Sequence, residues 1–405
     1  MTAVMEGVRI LEVAEHTFVP AASALLADWG AEVIKIEHVE RGDAMRGLAS
    51  TGVLNIPSDV HVLLEHSNRG KRSLALDLSS DEGLEILYRL AATCDVFLTN
   101  KLATVRKKLK VDLEDIRAHN PHIVYVRGSG QGERGPDADK GSYDVLAFWA
   151  RSGVAAGVRR PDYDHVPSPP APGFGDSIGA MTIAGGIMGA LYHRERTGEA
   201  TVVDVSLLGS GLWAMGQAVA LSMLLDMPWI APPTDRPRTN PLANNYLTRD
   251  ERFVSIRCLQ AGLYWAELCS LIGRPEMGSD PRFADHGSLM ANGGVATEML
   301  SEVFAERTLD EWRQVLAGFT GQWTVVQHTL EAAADPQSVA NGYIQECKTA
   351  SGTPFHLVAA PVQFDEVSPV ASRAPAFNEQ GDDILSEMGL DWDTIVDLKV
   401  RRVVA

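Results

Sequence analysis

The first third of the chain alternates short apolar runs with helical patterns, and this alternation limits the fold more than any other feature. The first helix is predicted at Pro20–Trp29, because Gly30 stops it. The apolar runs predict strands at Val8–Val13, Glu32–Glu37, Ser73–Leu78, Asp95–Thr99 and His122–Arg127. Strands that alternate with helices form mostly parallel sheets covered on both faces. The sequence therefore predicts an α/β fold with a Rossmann-like large domain.

The second half of the chain predicts a smaller α+β domain. A hairpin at Tyr246–Cys258 has its turn at residues 249–252, and a late strand is predicted at Ala359–Phe364. Further helices are predicted at Leu263–Ile272, Thr297–Phe304, Thr308–Leu316, Asp382–Met388 and Asp393–Leu398. Two helices, one in each half of the chain, begin with a possible capping box: Ser79 with Glu82, and Thr308 with Glu311.

Two segments lie between the predicted large and small domains. Pro228–Pro241 is rich in proline and polar residues, which is typical of a linker. Val205–Leu225 is strongly apolar, but it contains several glycines and is flanked by Asp204 and Asp226. Because no basic anchors flank it, the pattern favours a helix buried in a large core over a membrane span.

The charge balance and the cysteines exclude several classes of function. The 36 Lys and Arg and 53 Asp and Glu residues give a net charge of −17, which argues against non-specific nucleic-acid binding. The four cysteines show no CxxC spacing, so neither a zinc site nor a disulfide framework is predicted. Residues 1–8 lack the basic and apolar regions of a signal peptide. A cytoplasmic protein with reduced thiols and no membrane attachment is expected.

One carboxylate lies between a proline-rich loop and a helix. Prolines recur from Pro161 to Pro172, and Gly175-Asp176 then precedes a small-residue helix predicted at Ser177–Arg194. An Asp at the start of a helix is most often an N-cap. The glycines allow close approach, and the helix end favours an anion and supplies N–H groups for a developing oxyanion. Two roles are therefore open for Asp176, a structural cap and a carboxylate nucleophile.

Two motifs near this segment match catalytic patterns without the required structural context. A GxGxxG match begins at Gly130 after a strand, but Pro136 follows where the phosphate-binding helix should begin. A GxSxG match centred on Ser177 follows a proline-rich loop, where a serine hydrolase needs a strand. A dinucleotide site and a serine nucleophile are both disfavoured. The scattered histidines predict no paired metal site.

Basic residues cluster twice in the predicted large domain. The two groups are Arg69, Lys71 and Arg72, and Arg106, Lys107, Lys108 and Lys110. Such groups usually form a solvated face. In a chain with a net charge of −17, cationic patches beside strand ends also fit a phosphorylated ligand.

Short blocks spread along the chain occur in the order of one known family. They are Gly7-Val8-Arg9-Ile10-Leu11-Glu12, Leu26-Ala27-Asp28-Trp29-Gly30-Ala31-Glu32-Val33-Ile34-Lys35-Ile36-Glu37, Gly42-Asp43 with Arg46, Asn68-Arg69-Gly70-Lys71-Arg72-Ser73, Leu76-Asp77-Leu78, Asp95-Val96 with Asn100, Asn120-Pro121, Gly128-Ser129-Gly130, Gly135-Pro136, Gly175-Asp176, Arg196-Thr197-Gly198 and Arg373-Ala374-Pro375. In these blocks the sequence resembles the class III coenzyme A transferases, the family of formyl-CoA transferase and carnitine-CoA transferase. The same fold includes α-methylacyl-CoA racemase.

The resemblance implies a mechanism in which Asp176 is the nucleophile. Its carboxylate would attack a donor acyl-CoA thioester and form a mixed anhydride. The released CoA thiolate would return to give an aspartyl-CoA thioester, from which CoA passes to an acceptor carboxylic acid. CoA and acyl-CoA are then substrates, and no tightly bound cofactor and no metal is implied.

The resemblance also implies which residues contact CoA. Thr17 stands where formyl-CoA transferase often has glutamine, and Asn100 lies in the CoA region. Contacts with the adenine or phosphates of CoA are implied for His38, Lys71, Arg72 and Arg106.

Tyr143-Asp144 occupies the position of the His-Asp pair of the racemases. Because tyrosine titrates too high for easy proton abstraction at neutral pH, Tyr143 favours CoA transfer over racemisation. Asp144 matches an acidic neighbour in some transferases, and it either assists Asp176 or caps a helix. A racemase or isomerase remains the alternative, and a non-catalytic CoA-binding protein is a third hypothesis. Departures from the formyl-CoA transferase pattern leave the acyl substrate open.

The family fold implies how the chain is divided. The expected large domain spans residues 1–207 and 346–405, with a linker helix at 208–232, a small domain at 233–328 and a return linker at 329–345. The resemblance also implies two ring-like subunits threaded through each other as a homodimer.

Overall fold

A parallel sheet forms the centre of the larger of two compact units. The computed structural model describes residues 3–48, 59–229 and 239–405. The chain divides into Met1–Ala231 with Pro336–Ala405 as the larger unit and Pro232–Asp335 as the smaller unit. The strands of the larger unit's main sheet are β1 Arg9–Val13, β2 Glu32–His38, β3 Arg72–Leu76, β4 Val96–Thr99, β5 Val124–Ser129 and β6 Val202–Ser206. Within the described residues these six strands are all parallel, in the order β3-β2-β1-β4-β5-β6.

Both faces of this sheet are buried. Successive side chains of a strand point to opposite faces, so each strand contributes to two separate apolar cores. Ile10 and Val33 belong to one apolar core, and their chain neighbours Leu11 and Ile34 belong to the other. The prediction of an α/β fold with a mostly parallel sheet is confirmed, and the first five strands lie close to their predicted bounds. The strand order reverses between β1 and β4, which makes their carboxyl ends a topological switch point.

Helices cover both faces of the sheet. Helices α1 and α8 pack against one core, and α4 and α6 pack against the other. The helices up to residue 229 are α1 Phe18–Asp28, α2 Ala44–Leu48, α3 Val62–Asn68, α4 Asp81–Ala91, α5 Ala103–Lys108, α6 Leu113–Arg117, a π-helix at Val145–Arg151, α7 Val154–Val158, α8 Phe174–Thr197, α9 Leu207–Ala214 and α10 Gly216–Leu225. The capping box predicted at Ser79 is wrong, because Ser80 is the N-cap of α4 and its hydroxyl accepts the Gly83 N–H at 3.0 Å.

The apolar segment at 205–225 is not one buried helix, as the sequence suggested. It begins with the end of β6, and α9 and α10 then meet at a bend of 71°. None of the residues of α10 is buried, and Trp213, Met223 and Leu224 are 86%, 79% and 79% exposed. By length and composition alone, α8 and the bent α9–α10 pair would each suffice to cross a membrane, and core helices pass the same test.

The smaller unit contains an antiparallel sheet and several short helices. The predicted hairpin is confirmed, since β7 and β8 pair antiparallel and β9 joins β8. The capping box of Thr308 and Glu311 at α15 is also confirmed. The elements are β7 Ala243–Leu247, β8 Phe253–Arg257, α11 Ala261–Leu271, α12 Pro275–Gly278, α13 His286–Ala291, α14 Gly293–Phe304, α15 Leu309–Leu316, β9 Trp323–Val325 and α16 Thr329–Ala334. Of the predicted linker at 228–241, residues 230–238 lie outside the described residues.

The chain then returns to the larger unit. Its last elements are α17 Pro336–Ala340, β10 Ile344–Lys348, β11 Pro354–Val358, α18 Gly381–Glu387 and α19 Trp392–Val400, with β10 and β11 forming an antiparallel pair. The strand predicted at Ala359–Phe364 is wrong. Pro361 has no N–H to donate to a ladder, and Asp365 and Glu366 have positive φ angles of 56° and 59°, which turn the chain.

Candidate active site

Asp176 lies in the first turn of α8 and is not its cap. The N-cap is Gly173, in the left-handed region with φ 65°, and Asp176 is the third helical residue. Its carboxylate is partly buried. This placement puts the side chain beside the N–H groups that have no partner within the helix, where the helix dipole favours an anion.

Gly175 allows the start of α8 to approach the π-helix. A Cβ at this position would lie 2.4 Å from Cγ of Phe148, which belongs to the π-helix. Only a glycine fits without displacing that ring. Single π-helical turns occur frequently at functional sites, and here the π-helix directly follows Asp144.

A second carboxylate lies against the same helix start. Asp144 is buried, and its Oδ2 accepts the backbone N–H of Gly175 at 3.3 Å. Burial, and to a smaller extent the negative charge of Asp144, together raise the pKa of Asp176 from its ordinary 3.8 to about 7. Asp144 directly precedes the π-helix, but its side chain makes no capping hydrogen bond to that helix. Its carboxylate instead binds the start of α8 through the Gly175 N–H.

The turn between β1 and α1 reaches the same place. The Cγ2 atom of Thr17 lies 3.3 Å from the Cβ position that a side chain at Gly173 would have. The ring of His16 packs edge-on against Tyr143, with the centroids 5.8 Å apart, and Tyr143 is 61% exposed. His16 was not among the predicted site residues, although it immediately precedes Thr17 in the sequence.

Asn100 holds the backbone of the β1–α1 turn. Its Oδ1 accepts the Glu15 N–H at 3.2 Å, and its Nδ2 donates to the Glu15 carbonyl at 2.6 Å. Asn100 follows β4, so this pair of hydrogen bonds lies at the switch point between β1 and β4. In open α/β sheets ligands bind outside the carboxyl ends of strands at such a point.

The other residues implied to contact CoA lie apart from one another. His38 is exposed at the carboxyl end of β2. Arg72 is at the amino end of β3, where it pairs with Glu32 and Glu387. The contact of each with CoA stays a prediction.

Lys71 and Arg106 are buried, and both are engaged in ion pairs. Lys71 Nζ donates to Glu12 at 2.7 Å, to the Pro20 carbonyl at 2.8 Å and to Asn68 at 3.1 Å. Those three bonds use every ammonium proton. Arg106 binds Asp112 at 3.0 Å and Glu133 at 2.6 Å. A CoA contact by Lys71 would replace one of its three bonds.

The two alternative motifs have other structural roles. Ser177 Oγ donates to the Gly173 carbonyl at 2.9 Å, within the helix start. Gly130 packs against Ser142, whose Cβ would lie 2.3 Å from an added Cβ. Among the described residues, no group of three or more His, Cys, Asp or Glu side chains is arranged to hold a metal ion.

The fold agrees with the comparisons to known proteins. The family model of CoA-transferase family III matches residues 5–381. The chain therefore belongs to this family of enzymes, whose substrates are CoA thioesters, and the resemblance stated above is confirmed.

Relatives and solved structures match along nearly the whole chain. The chain is 29% identical to (R)-2-hydroxy-4-methylpentanoate CoA-transferase of Clostridioides difficile, covering 99% of each protein. It is 30% identical to cinnamoyl-CoA:phenyllactate CoA-transferase of Clostridium sporogenes, covering 98% of this chain and 96% of the relative. The crystal structure of a CAIB/BAIF family protein from Brucella suis superposes with a TM-score of 0.82 at 26% identity, over 96% of this chain and 100% of the other.

Proposed function

We propose that the protein is an acyl-CoA:carboxylate CoA-transferase in which Asp176 is the covalent nucleophile. The observation that carries the proposal is a partly buried carboxylate in the first turn of α8, beside the turn that follows β1. A carboxylate is a suitable nucleophile for a thioester, because the acyl anhydride it forms is close to the thioester in reactivity.

Four acyl transfers complete the proposed cycle. Asp176 attacks the donor thioester carbonyl, which breaks the C–S bond and gives a mixed anhydride and CoA thiolate. The thiolate attacks the aspartyl carbonyl, so the donor leaves as a free carboxylate and an aspartyl-CoA thioester remains. The acceptor carboxylate then displaces CoA thiolate as a second anhydride. The thiolate finally attacks the acceptor carbonyl and regenerates the Asp176 carboxylate.

The surroundings of Asp176 support this cycle. The N–H groups of Phe174 and Asp176, which have no helical partners at the start of α8, are donors for the oxyanion of each tetrahedral intermediate. Asp144 assists by holding the Gly175 N–H, and its negative charge raises the basicity of Asp176. Tyr143 is exposed beside His16, and we assign it contact with the acyl group rather than proton abstraction.

We assign CoA binding to the crevice at the carboxyl ends of the strands. Thr17 lies next to Gly173 there, and Asn100 fixes the adjoining turn. His38 lies at the carboxyl end of β2. To bind Lys71, Arg72 or Arg106, the phosphates of CoA would have to compete with the carboxylates that these side chains contact. Arg72 also lies at the amino end of its strand, whereas the crevice lies at the carboxyl ends.

The names of the relatives indicate which carboxylic acids to test first as acceptors of CoA. Two of them act, by name, on 2-hydroxy-4-methylpentanoate and phenyllactate, so 2-hydroxy acids are the first acceptors to test. We also propose a cytoplasmic homodimer, with the exposed apolar residues of α9 and α10 covered by the second subunit. Sedimentation of the purified protein at the mass of a single chain would contradict this assembly.

A mass-spectrometric experiment tests the proposed nucleophile. Wild-type protein incubated with an acyl-CoA donor is digested, and the peptide that contains Asp176 is expected to carry CoA. Asp176→Ala is expected to fold and to lack both the adduct and turnover. Because the pKa of Asp176 is about 7, adduct formation is expected to rise about tenfold per pH unit below that pH.

Three outcomes would contradict the proposal. Full activity in Asp176→Ala would exclude the nucleophile. Exchange of deuterium at the acyl α-carbon in the absence of an acceptor acid would indicate the racemase alternative. Tight acyl-CoA binding without chemistry across the acceptor panel would indicate a binding protein.

A further inference from the structure

The turn between β1 and α1 is held by side chains from other parts of the sheet. Lys35 Nζ donates to the Ala14 carbonyl at 2.8 Å, and Asn100 binds both backbone groups of Glu15. Asp43 Oδ1 accepts the His16 N–H at 3.0 Å. Three consecutive residues of the turn therefore depend on side chains that come from outside it.

Asp43 is itself held rigidly. It is 1% exposed, and its Oδ2 lies 2.7 Å from Nζ of the fully buried Lys35. Its Oδ1 also accepts the Met45 N–H at 2.8 Å, and its own N–H donates to Glu37 at 2.8 Å. Charge-assisted hydrogen bonds of this kind in a buried site fix the geometry of their members.

His16 occupies a backbone conformation that needs such support. Its φ is 69°, in the left-handed region that residues other than glycine rarely adopt. Such a conformation persists where the surrounding structure determines it, and it occurs often at active sites. Here it brings the His16 ring to Tyr143 and the Thr17 methyl to Gly173.

We propose that Asp43 is a positioning residue of the active site, acting through the backbone of His16. Held by Lys35, its carboxylate fixes the left-handed turn that sets the His16 ring against Tyr143 and Thr17 against Gly173 at the start of α8, and thus beside Asp176. The inference rests on the proposed function only in naming Asp176 as the reacting group, because the geometry of the turn is independent of the reaction.

Two variants of Asp43 separate positioning from stability. Asp43→Asn retains an oxygen acceptor for the His16 and Met45 N–H groups, and Asp43→Ala removes it. Both lose the negative charge that faces Lys35, so both are destabilised. Asp28→Asn is the matched control, since Asp28 forms a buried ion pair with Arg69 in the same unit.

The rate of CoA-adduct formation per folded enzyme is the first measurement. Asp43→Ala is expected to lose about a hundredfold, the loss that a displacement of roughly 1 Å causes. Asp43→Asn is expected to stay within about threefold of wild type, because the conservative variant restores the acceptor. Asp28→Asn is expected to react at the wild-type rate. Equal rates for Asp43→Ala and Asp43→Asn per folded enzyme would overturn the proposal.

Crystal structures of the two variants give a measurement that does not depend on activity. We expect His16 to leave the left-handed region in Asp43→Ala and to keep it in Asp43→Asn. A structure of Asp43→Ala in which His16 keeps a φ near 69° would refute the positioning role, whether or not transfer is found. Absence of the adduct in wild-type protein would instead refute the proposed function.

Discussion

Replacing Asp176 by asparagine is expected to stabilise the folded protein above neutral pH. Burial first, and Asp144 second, raise the pKa of this carboxyl to about 7. The folded state therefore holds a proton that the unfolded state has released at every pH between about 4 and 7. Stability must fall as the pH rises through this window, and the full cost of the charged carboxylate is present above it.

The size of the effect follows from the two pKa values. A rise from 3.8 to about 7 corresponds to about 4 kcal/mol at pH 8 and about 2 kcal/mol at pH 5. An asparagine of nearly the same shape carries no charge and avoids this cost. It retains the smaller cost of a partly buried amide, so about 4 kcal/mol is an upper bound for the stabilisation.

Urea unfolding of wild type and Asp176→Asn at pH 5 and pH 8, at one protein concentration, measures the difference. The advantage of the variant in the free energy of unfolding should grow by about 2 kcal/mol between the two pH values. Asp393→Asn, at an exposed carboxylate on α19 of the same unit, controls for the general effect of removing a carboxylate. An advantage of Asp176→Asn that is absent at pH 8, or that does not change with pH, would refute the reasoning.

Two further substitutions test the surroundings of Asp176. Asp144→Asn should move the midpoint of the pH profile of adduct formation below about 7 but not to 3.8, because burial remains the larger cause; an unchanged midpoint would show that Asp144 does not act on the pKa. Gly175→Ala should cost about 1–3 kcal/mol, measured by urea unfolding, because its Cβ would meet Phe148. Gly185→Ala, in open space on the same helix, should instead gain about 0.5–1 kcal/mol, and equal effects of the two would contradict the packing argument.

The fold was predictable where local pattern and tertiary packing agree. The first five strands are short apolar runs buried on both faces, and their alternation with helices predicts a parallel sheet. Strand β6 was missed because its last two residues, Val205 and Ser206, were assigned to the apolar segment that continues into α9. The exposure of α10 was missed because a sequence records apolarity and not what covers it.

The candidate site was predictable only in part. The residue types of a motif are neighbours in the sequence, whereas the contacts that assemble the site join residues far apart in the sequence. Gly175-Asp176 combines a candidate nucleophile and a helix start within a few residues, so the sequence singles out that segment. His16 and Asp43 are 27 residues apart and meet through one hydrogen bond, from the His16 N–H to the Asp43 carboxylate. No spacing rule predicts that contact, since it depends on β1 and β2 lying side by side in the sheet.

Two opposing effects act on Asp176, and their magnitudes decide its protonation. The helix N-terminus favours the anion by about 0.3–1 kcal/mol, whereas the rise of the pKa to about 7 reflects about 4 kcal/mol against it. Desolvation therefore prevails, and the carboxyl is about half ionised at neutral pH. A carboxylate with a raised pKa is more basic than an exposed one, and the fraction that is ionised is the better nucleophile. In the proposed function, the same burial that makes the folded protein less stable above pH 7 also favours attack of Asp176 on a thioester.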